Sequence, residues 1–441
     1  MTNSKDAGAW SPGALLHRVV NIERGERATS LWSFVYFFAV LCAYYILRPV
    51  RDEMGVTVGS DGLEALFTIV FVVMLAAVPV FGWVVARFSR PRIVPLVYGF
   101  FIANLAVFWA LLSGGGYGPF IAGAFFVWAS VFNLYVVSLF WSTMSEHYTS
   151  EQAKRLCGFI AAGGSAGALA GPLITQSFVK LIGPTNLLLV SILFLSLAIL
   201  AATMVRASMA PTHTPKKPHS QDALSLNSIF AGARRVWNSN YLFQIALWVL
   251  LANLVSTYFY FEQARIVGAA LADRTDRVQL FARMDLSVSI LTLFLQLFVT
   301  AHVMSRFGVG AAIAAVGAIA ALGLAGLALA PVLGMIVAVV VAERAVGFAI
   351  SNPAKRVLYT VVPEEDKYTA QNFNDTVVYR GGDAVSGWLF NSVAKGLGIS
   401  SASVALFTLP FAIAWMVVGL KLGRMQAARA DGRQHARSPA V

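Results

Sequence analysis

Apolar residues run along this chain in long unbroken stretches separated by short polar turns. Twelve can be marked: 30–54, 63–86, 92–113, 117–145, 154–181, 185–206, 240–268, 278–304, 308–330, 333–359, 369–396 and 401–422. Each approaches or exceeds the roughly 20 residues with which a helix crosses a hydrocarbon core. The runs are continuous rather than alternating, and far longer than the roughly 10 residues of an outer-membrane barrel strand, so they predict helices. A helix also satisfies its backbone N–H and C=O groups within one segment, which a bilayer demands. The predicted fold class is an all-α membrane protein of twelve transmembrane helices.

Composition agrees: 58% of the 441 residues are hydrophobic and 12% charged, against roughly 25% charged in soluble domains. Residues 1–29 lack the apolar core and small-residue cleavage site of a signal peptide, so none is expected. A net charge of +12 would suit nucleic acid if it were clustered. Most of the basic residues are instead dispersed over the tails and the turns after spans 2, 4, 6, 8 and 10, as the positive-inside bias and anionic lipid require. That places both termini in the cytoplasm of a multi-pass protein of the bacterial inner membrane, in contact with the lipid bilayer and with no nucleic-acid partner. Cys42 and Cys157 have no metal-ligand spacing and read as packing residues. The chain contains no GxxxxGK[ST], HExxH or GxSxG, so no catalytic residue, metal or cofactor is expected, and ATP hydrolysis is not the energy source.

The longest polar interruption, 207–239, carries Pro211, Pro215, Pro218, Lys216 and Lys217 and divides the spans six and six. The predicted organisation is a cytoplasmic tail 1–29, a six-helix bundle 30–206, a cytoplasmic linker 207–239, a second bundle 240–422 and a tail 423–441. Within the linker, Leu226, Ile229, Phe230, Ala233 and Trp237 recur at helical spacing beside Arg234 and Arg235, the pattern of a short helix lying on the membrane surface. The halves echo each other. Tyr44, Arg48 and Arg51 in span 1 share the i, i+4, i+7 spacing of Tyr258, Glu262 and Arg265 in span 7, and Gly163-Gly164-Ser165 in span 5 matches Gly381-Gly382-Asp383 in span 11. Parallel six-helix repeats around a midplane site are a transporter design.

Six plus six spans, a long central loop and the basic turn Gly82-Trp-Val-Val-Ala86-Arg87-Phe-Ser-Arg90 resemble the major facilitator superfamily, although Ala86 stands where that family usually has Asp. The end of span 1, Tyr44-Tyr45-Ile46-Leu47-Arg48-Pro49-Val50-Arg51-Asp52, is similar to the Tyr-x-x-Leu-Arg-x-x-Lys-Asp pattern of the ATP/ADP translocase family, with Arg51 in place of the family Lys. Further likeness lies at Glu262 and at Asp375, Arg380, Gly381 and Asp383. The resemblance implies two pseudo-symmetric bundles and exchange of a nucleotide or other organic anion. Arginine keeps the charge of lysine but changes the phosphate geometry.

Ionisable residues inside spans are costly, about 2.5–3.5 kcal/mol each on insertion scales, and so are default functional candidates. Arg48 and Arg51 share a face with Tyr44 and offer an anion two guanidinium forks; alternatively Arg48 pairs with Asp52 or snorkels outward. Glu262 and Arg265 are either a gate facing those arginines or an internal i,i+3 pair. Asp285, Ser289, Thr292 and Gln296 form a polar stripe on span 8 that lines a cavity or bonds a neighbouring helix. Arg380 and Asp383 either serve each other or bind an anion with Asp383 orienting. Glu343 and Arg344, adjacent in span 10, project about 100 degrees apart and need separate partners. Asn133, Ser138 and Trp141 of span 4 are secondary candidates for polar or aromatic contact, the tryptophan alternatively an interface anchor. Gly163, Gly167 and Gly171 read as a helix-packing face.

The expectation is a monomeric secondary transporter of a small anionic substrate, driven by exchange or by protons and with no enzymatic step. Arg48, Arg51 and Arg380 bind negative charge, Tyr44 and Tyr258 pack on its apolar part, and Asp52, Glu262, Arg265, Asp285, Glu343 and Asp383 gate or couple. The alternatives are a cation or drug exporter using Glu262, Asp285 and Glu343, and a membrane enzyme or sensor without transport.

Overall fold

The computed structural model describes residues 23–88, 90–114, 118–208, 226–397 and 401–437. The linker prolines and Lys216 and Lys217 lie outside the described residues, as does most of the N-terminal tail. Among the described residues every regular element is a helix. Spans 1 to 7 are Arg27–Val58, Ser60–Arg87, Arg90–Ser113, Pro119–His147, Ser150–Ile182, Leu187–Ala207 and, after a linker helix Leu226–Asn238, Asn240–Ala270. Spans 8 and 9 are Arg274–Phe298 and Thr300–Leu329, and span 12 is Ser401–Arg437. Span 10 runs through Leu333–Val346, a π-helical turn at Gly347–Ser351 and Asn352–Leu358; span 11 runs through Glu364–Phe373, a π-helical turn at Asn374–Val378 and Tyr379–Leu397. Among the described residues eleven helices are long and apolar enough to cross a membrane; span 11, which carries Asp375, Arg380 and Asp383, is not among them. The protein is an all-α membrane protein with twelve spans in two bundles.

The turn between spans 8 and 9 falls where the sequence reading put it. Val299 keeps αR dihedrals between Arg274–Phe298 and Thr300–Leu329, so the chain stays helical there, with the Thr300 hydroxyl hydrogen-bonded to Ala349 O at 2.8 Å. The non-helical residue is Gly308, whose φ of 77° suits glycine, and the turns of Thr300–Leu329 that precede it extend span 8.

Packing gathers the described residues into two compact units. One draws on the described residues within 23–50, 83–114 and 129–208, the other on those within 51–82, 118–128 and 226–437. In the first, span 5 packs on span 1 through its glycines: a Cβ on Gly163 or Gly167 would run into the carbonyl oxygens of Phe34 and Phe38, and one on Gly171 would meet Tyr45. Only glycine lets the backbones come this near. Aromatic rings fill the rest, with Phe37 stacked on Phe140 at 4.1 Å and the Tyr36 and Tyr98 hydroxyls 2.9 Å apart. At the end of this unit nearest the N-terminus, Glu26 accepts from Gln152 (2.9 Å) and Arg155 (3.0 Å). Burial alone would raise that carboxyl, but the hydrogen bonds from Gln152 and Arg155 outweigh it and hold it below its ordinary 4.5.

In the second unit, spans 9 and 12 touch at Gly310, Gly317, Gly419 and Gly423, and Gly382 of span 11 lies against Asn253 of span 7. The span 5–span 1 contact thus has its counterpart in spans 11 and 7. The linker helix packs on Glu364–Phe373 rather than on lipid alone: Gly232 abuts Phe373, and Arg235 reaches Asp366 (3.2 Å) and Thr369 (3.1 Å). Trp237 remains exposed.

Candidate functional site

Span 1 enters both units, and its charged end divides between them. Tyr44 and Arg48 belong to the first. Pro49 has no N–H to give the Tyr45 carbonyl, yet the helix continues through it. Arg48 is buried with its guanidinium over the Tyr45 ring at 5.6 Å, and Tyr44 meets the same ring edge-on at 5.3 Å.

Arg51 and Asp52 belong to the second unit. Arg51 Nε and Nη2 both donate to Asp52 Oδ1, at 3.1 and 2.7 Å, while the guanidinium lies over Phe126 at 5.1 Å. Tyr260 of span 7 brings its hydroxyl to the same Asp52 oxygen at 3.5 Å. One residue on, Glu53 is fully buried, accepts from Thr57 at 2.7 Å and has Arg274 and Arg277 at 3.9 and 3.8 Å. The Phe67 ring packs against Tyr260 and Phe261. The 51–58 end of span 1 is therefore tied to spans 7 and 8 by a hydroxyl contact and by charge, and span 2 to span 7 by aromatic contact.

Glu262 does not reach these arginines. Its two oxygens take Arg265 Nη2 (2.6 Å) and Nε (3.0 Å), the internal i,i+3 pair. Tyr258 is buried against Phe390 at 5.4 Å, with no hydrogen-bond partner for its hydroxyl among the described residues.

Spans 7, 8, 10 and 11 bring together a second set. Glu343 accepts from Ser256 at 2.9 Å, while its neighbour Arg344 turns to Asp285 at 3.4 Å, so the two adjacent charges find separate partners. Asp383 bonds the Thr257 hydroxyl and lies 3.8 Å from Arg380, whose guanidinium sits over Tyr379 at 5.3 Å. Successive hydroxyls on span 7 thus hold one carboxylate of span 10 and one of span 11. Asn253, a turn earlier, donates to Tyr379 O (2.7 Å) and Val378 O (3.4 Å), where the π turn disturbs the helix ladder. Lys355 of span 10 holds Asp375 at 2.6 Å. From span 4, Trp141 packs edge-on to Phe37 and Phe140 in the first unit.

Sequence reasoning passed over Glu53 with Arg274 and Arg277, Tyr260, Ser256, and Lys355 as the partner of Asp375. Glu53 directly follows the charged stretch ending at Asp52 and has Thr57 one turn on, which was a usable signal. Lys355 lies four residues from the predicted end of span 10, where a lysine is ordinary.

Charges buried or half-buried within spanning helices, several of them paired across helices, mark a functional site inside a multi-pass membrane protein. The model of the Major Facilitator Superfamily matches residues 30–382, and the chain belongs to that superfamily. No curated protein matches it in sequence. Among solved structures it is similar to the nucleoside transporter NupG (TM-score 0.60, 14% identity, covering 90% of this chain and 98% of that one). It is equally similar to a POT family transporter in complex with 5-aminolevulinic acid (0.60, 13%, 91% and 96%) and to a bacterial metal transporter (0.60, 12%, 91% and 98%). At these identities the likeness carries the fold.

Proposed function

We propose that the protein is a secondary transporter of a small organic anion, a nucleotide or other phosphorylated metabolite in the first instance, working by alternating access in the bacterial inner membrane. The observation that carries this reading is the setting of three arginines within spans: Arg48, Arg51 and Arg380 each lie with a guanidinium 5.1–5.6 Å from an aromatic ring centre. A guanidinium offers a carboxylate or phosphate a planar fork, and the ring beside it suits a flat, apolar part of the same molecule. Arg51 and Arg380 are meanwhile held by Asp52 and Asp383, which an incoming anion would replace. The resemblance of the span 1 end to the ATP/ADP translocase pattern supports the same substrate class. Both termini are cytoplasmic on this reading, by the distribution of Lys and Arg, and the working unit is a monomer.

The test is a thermal-shift screen of the purified protein against nucleotides, phosphorylated sugars, di- and tricarboxylates and lipophilic cations. A ligand at 100 times its Kd stabilises by about 2.7 kcal/mol. Upward shifts confined to anions are expected; shifts confined to cations would reject the reading.

One observation favours a second reading, a cation exporter. Glu343 accepts from a neutral hydroxyl and has no cation within 4 Å among the described residues. Protection of Glu343 from carbodiimide by a lipophilic cation, and not by anions, would select it.

A further inference from the structure

Span 11 is helical except at Asn374–Val378, where the chain takes a π turn. In an uninterrupted α-helix, residues five apart project about 140 degrees from each other. A π turn closes with an i→i+5 bond, so residues five apart come nearly into line. Asp375 and Arg380 are five apart and span this turn. The irregularity also exposes backbone carbonyls to rearrangement, and Asn253 donates to those of Val378 and Tyr379, while buried Asn374 donates to the Tyr359 hydroxyl at 3.0 Å. The turn is held from two other elements, which a chance irregularity would not require.

Its effect is to place the acid that holds Lys355 on the face that carries Arg380. Lys355 Nζ meets Asp375 at 2.6 Å, and the Lys355 side chain is 17% exposed against 46% for Asp375. Lys355 lies six residues inside the Val361 end of span 10. A lysine there is free to snorkel to the interface, yet it reaches across to span 11. A carboxylate left half exposed within a span is costly against lipid, which favours an aqueous surface for this side of span 11.

We infer that Lys355 is a second anion-binding cation of the transport site, held in reserve by Asp375 and brought into line with Arg380 by the π turn of span 11. This rests on the anion-transport reading above and deepens it. Two cations, each with a carboxylate of span 11 as its resident partner, suit a substrate with two anionic groups, such as a nucleoside di- or triphosphate or a tricarboxylate. Such a substrate takes Lys355 and Arg380 together and releases Asp375 and Asp383. A singly charged anion cannot occupy both.

The experiment measures the affinities of adenosine, AMP, ADP, ATP and citrate by calorimetry on the full-length protein in nanodiscs. The proteins are the wild type, Lys355→Gln, Lys355→Arg and Asp375→Asn, each first shown to be folded by its unliganded melting midpoint. The tightest wild-type binder is expected to be a polyanion. Lys355→Gln is expected to weaken it about ten-fold or more while leaving adenosine unchanged, and Lys355→Arg to recover most of the loss. Asp375→Asn is expected to tighten it, because no carboxylate then competes for Lys355. Opposite signs for the two partners of one ion pair would not arise from a structural bridge. If Lys355→Gln leaves the polyanion affinity unchanged, or both substitutions weaken it alike, the inference fails and the anion reading stands. If the wild type binds none of the anions, both fall.

Discussion

Charges inside this membrane protein are held by geometry that differs residue by residue. Arg51 bends back on its own neighbour Asp52, Glu262 on Arg265 one turn away, and Arg344 crosses to Asp285 on another helix. Outside the spans, Glu26 shows what one such set contributes to stability. Its folded pKa lies below the ordinary 4.5 because Gln152 and Arg155 bond the carboxylate. A depressed carboxyl contributes stability that is fully present above its unfolded pKa and is lost as pH falls through the folded value. The melting midpoint of the wild type is therefore expected to exceed that of Glu26→Gln at neutral pH, with the gap closing below about pH 4.5; melts of both proteins across that range check it. The sequence made such residues visible as charges in apolar runs, since each violates the hydrophobic pattern. It did not reveal their partners. Adjacent Glu343 and Arg344 had to diverge by helix geometry alone, whereas Asp52 and Tyr260, or Lys355 and Asp375, meet only through the folded chain.

Whole helices were far easier to read. Every apolar run became a helix, because bilayer length and backbone hydrogen bonding leave no alternative. The glycine spacing of span 5 declared a packing face, and Phe34, Phe38 and Tyr45 occupy it. Gly167→Val is expected to lower stability by about 1–3 kcal/mol, the usual cost of overpacking, since its Cβ would meet the Phe38 carbonyl. Gly158→Ala, with nothing within 4 Å of the new Cβ, is expected to leave the midpoint unchanged or raised. Chemical unfolding of the two variants beside the wild type compares them. The π turns at Gly347–Ser351 and Asn374–Val378 had no sequence signature. An extra residue in a helix changes no hydrophobic period over so short a stretch, and it is held by side chains from elsewhere, such as Asn253.

At the scale of the molecule, membership of the Major Facilitator Superfamily was foreshadowed by six plus six spans and the echo between halves, which survives as matching glycine contacts of span 5 on span 1 and span 11 on span 7. The sequence division at 207–239 says less about where the compact units part. The 51–82 and 118–128 segments pack with the C-terminal half, through contacts such as Glu53 with Arg277 and Phe67 with Phe261. Contacts of that kind join residues some 200 positions apart and follow from no local pattern. The central claim is transport of an organic anion through intramembrane arginines, and uptake into liposomes tests it most directly. Wild-type protein and Arg51→Ala, matched for inserted amount, would be compared for uptake of radiolabelled ATP and citrate and of a labelled lipophilic cation. Uptake of at least one anion by the wild type, reduced about ten-fold or more in Arg51→Ala through loss of the charge and the guanidinium fork, is the predicted result. Uptake of the cation alone, or anion uptake indifferent to Arg51→Ala, would contradict it.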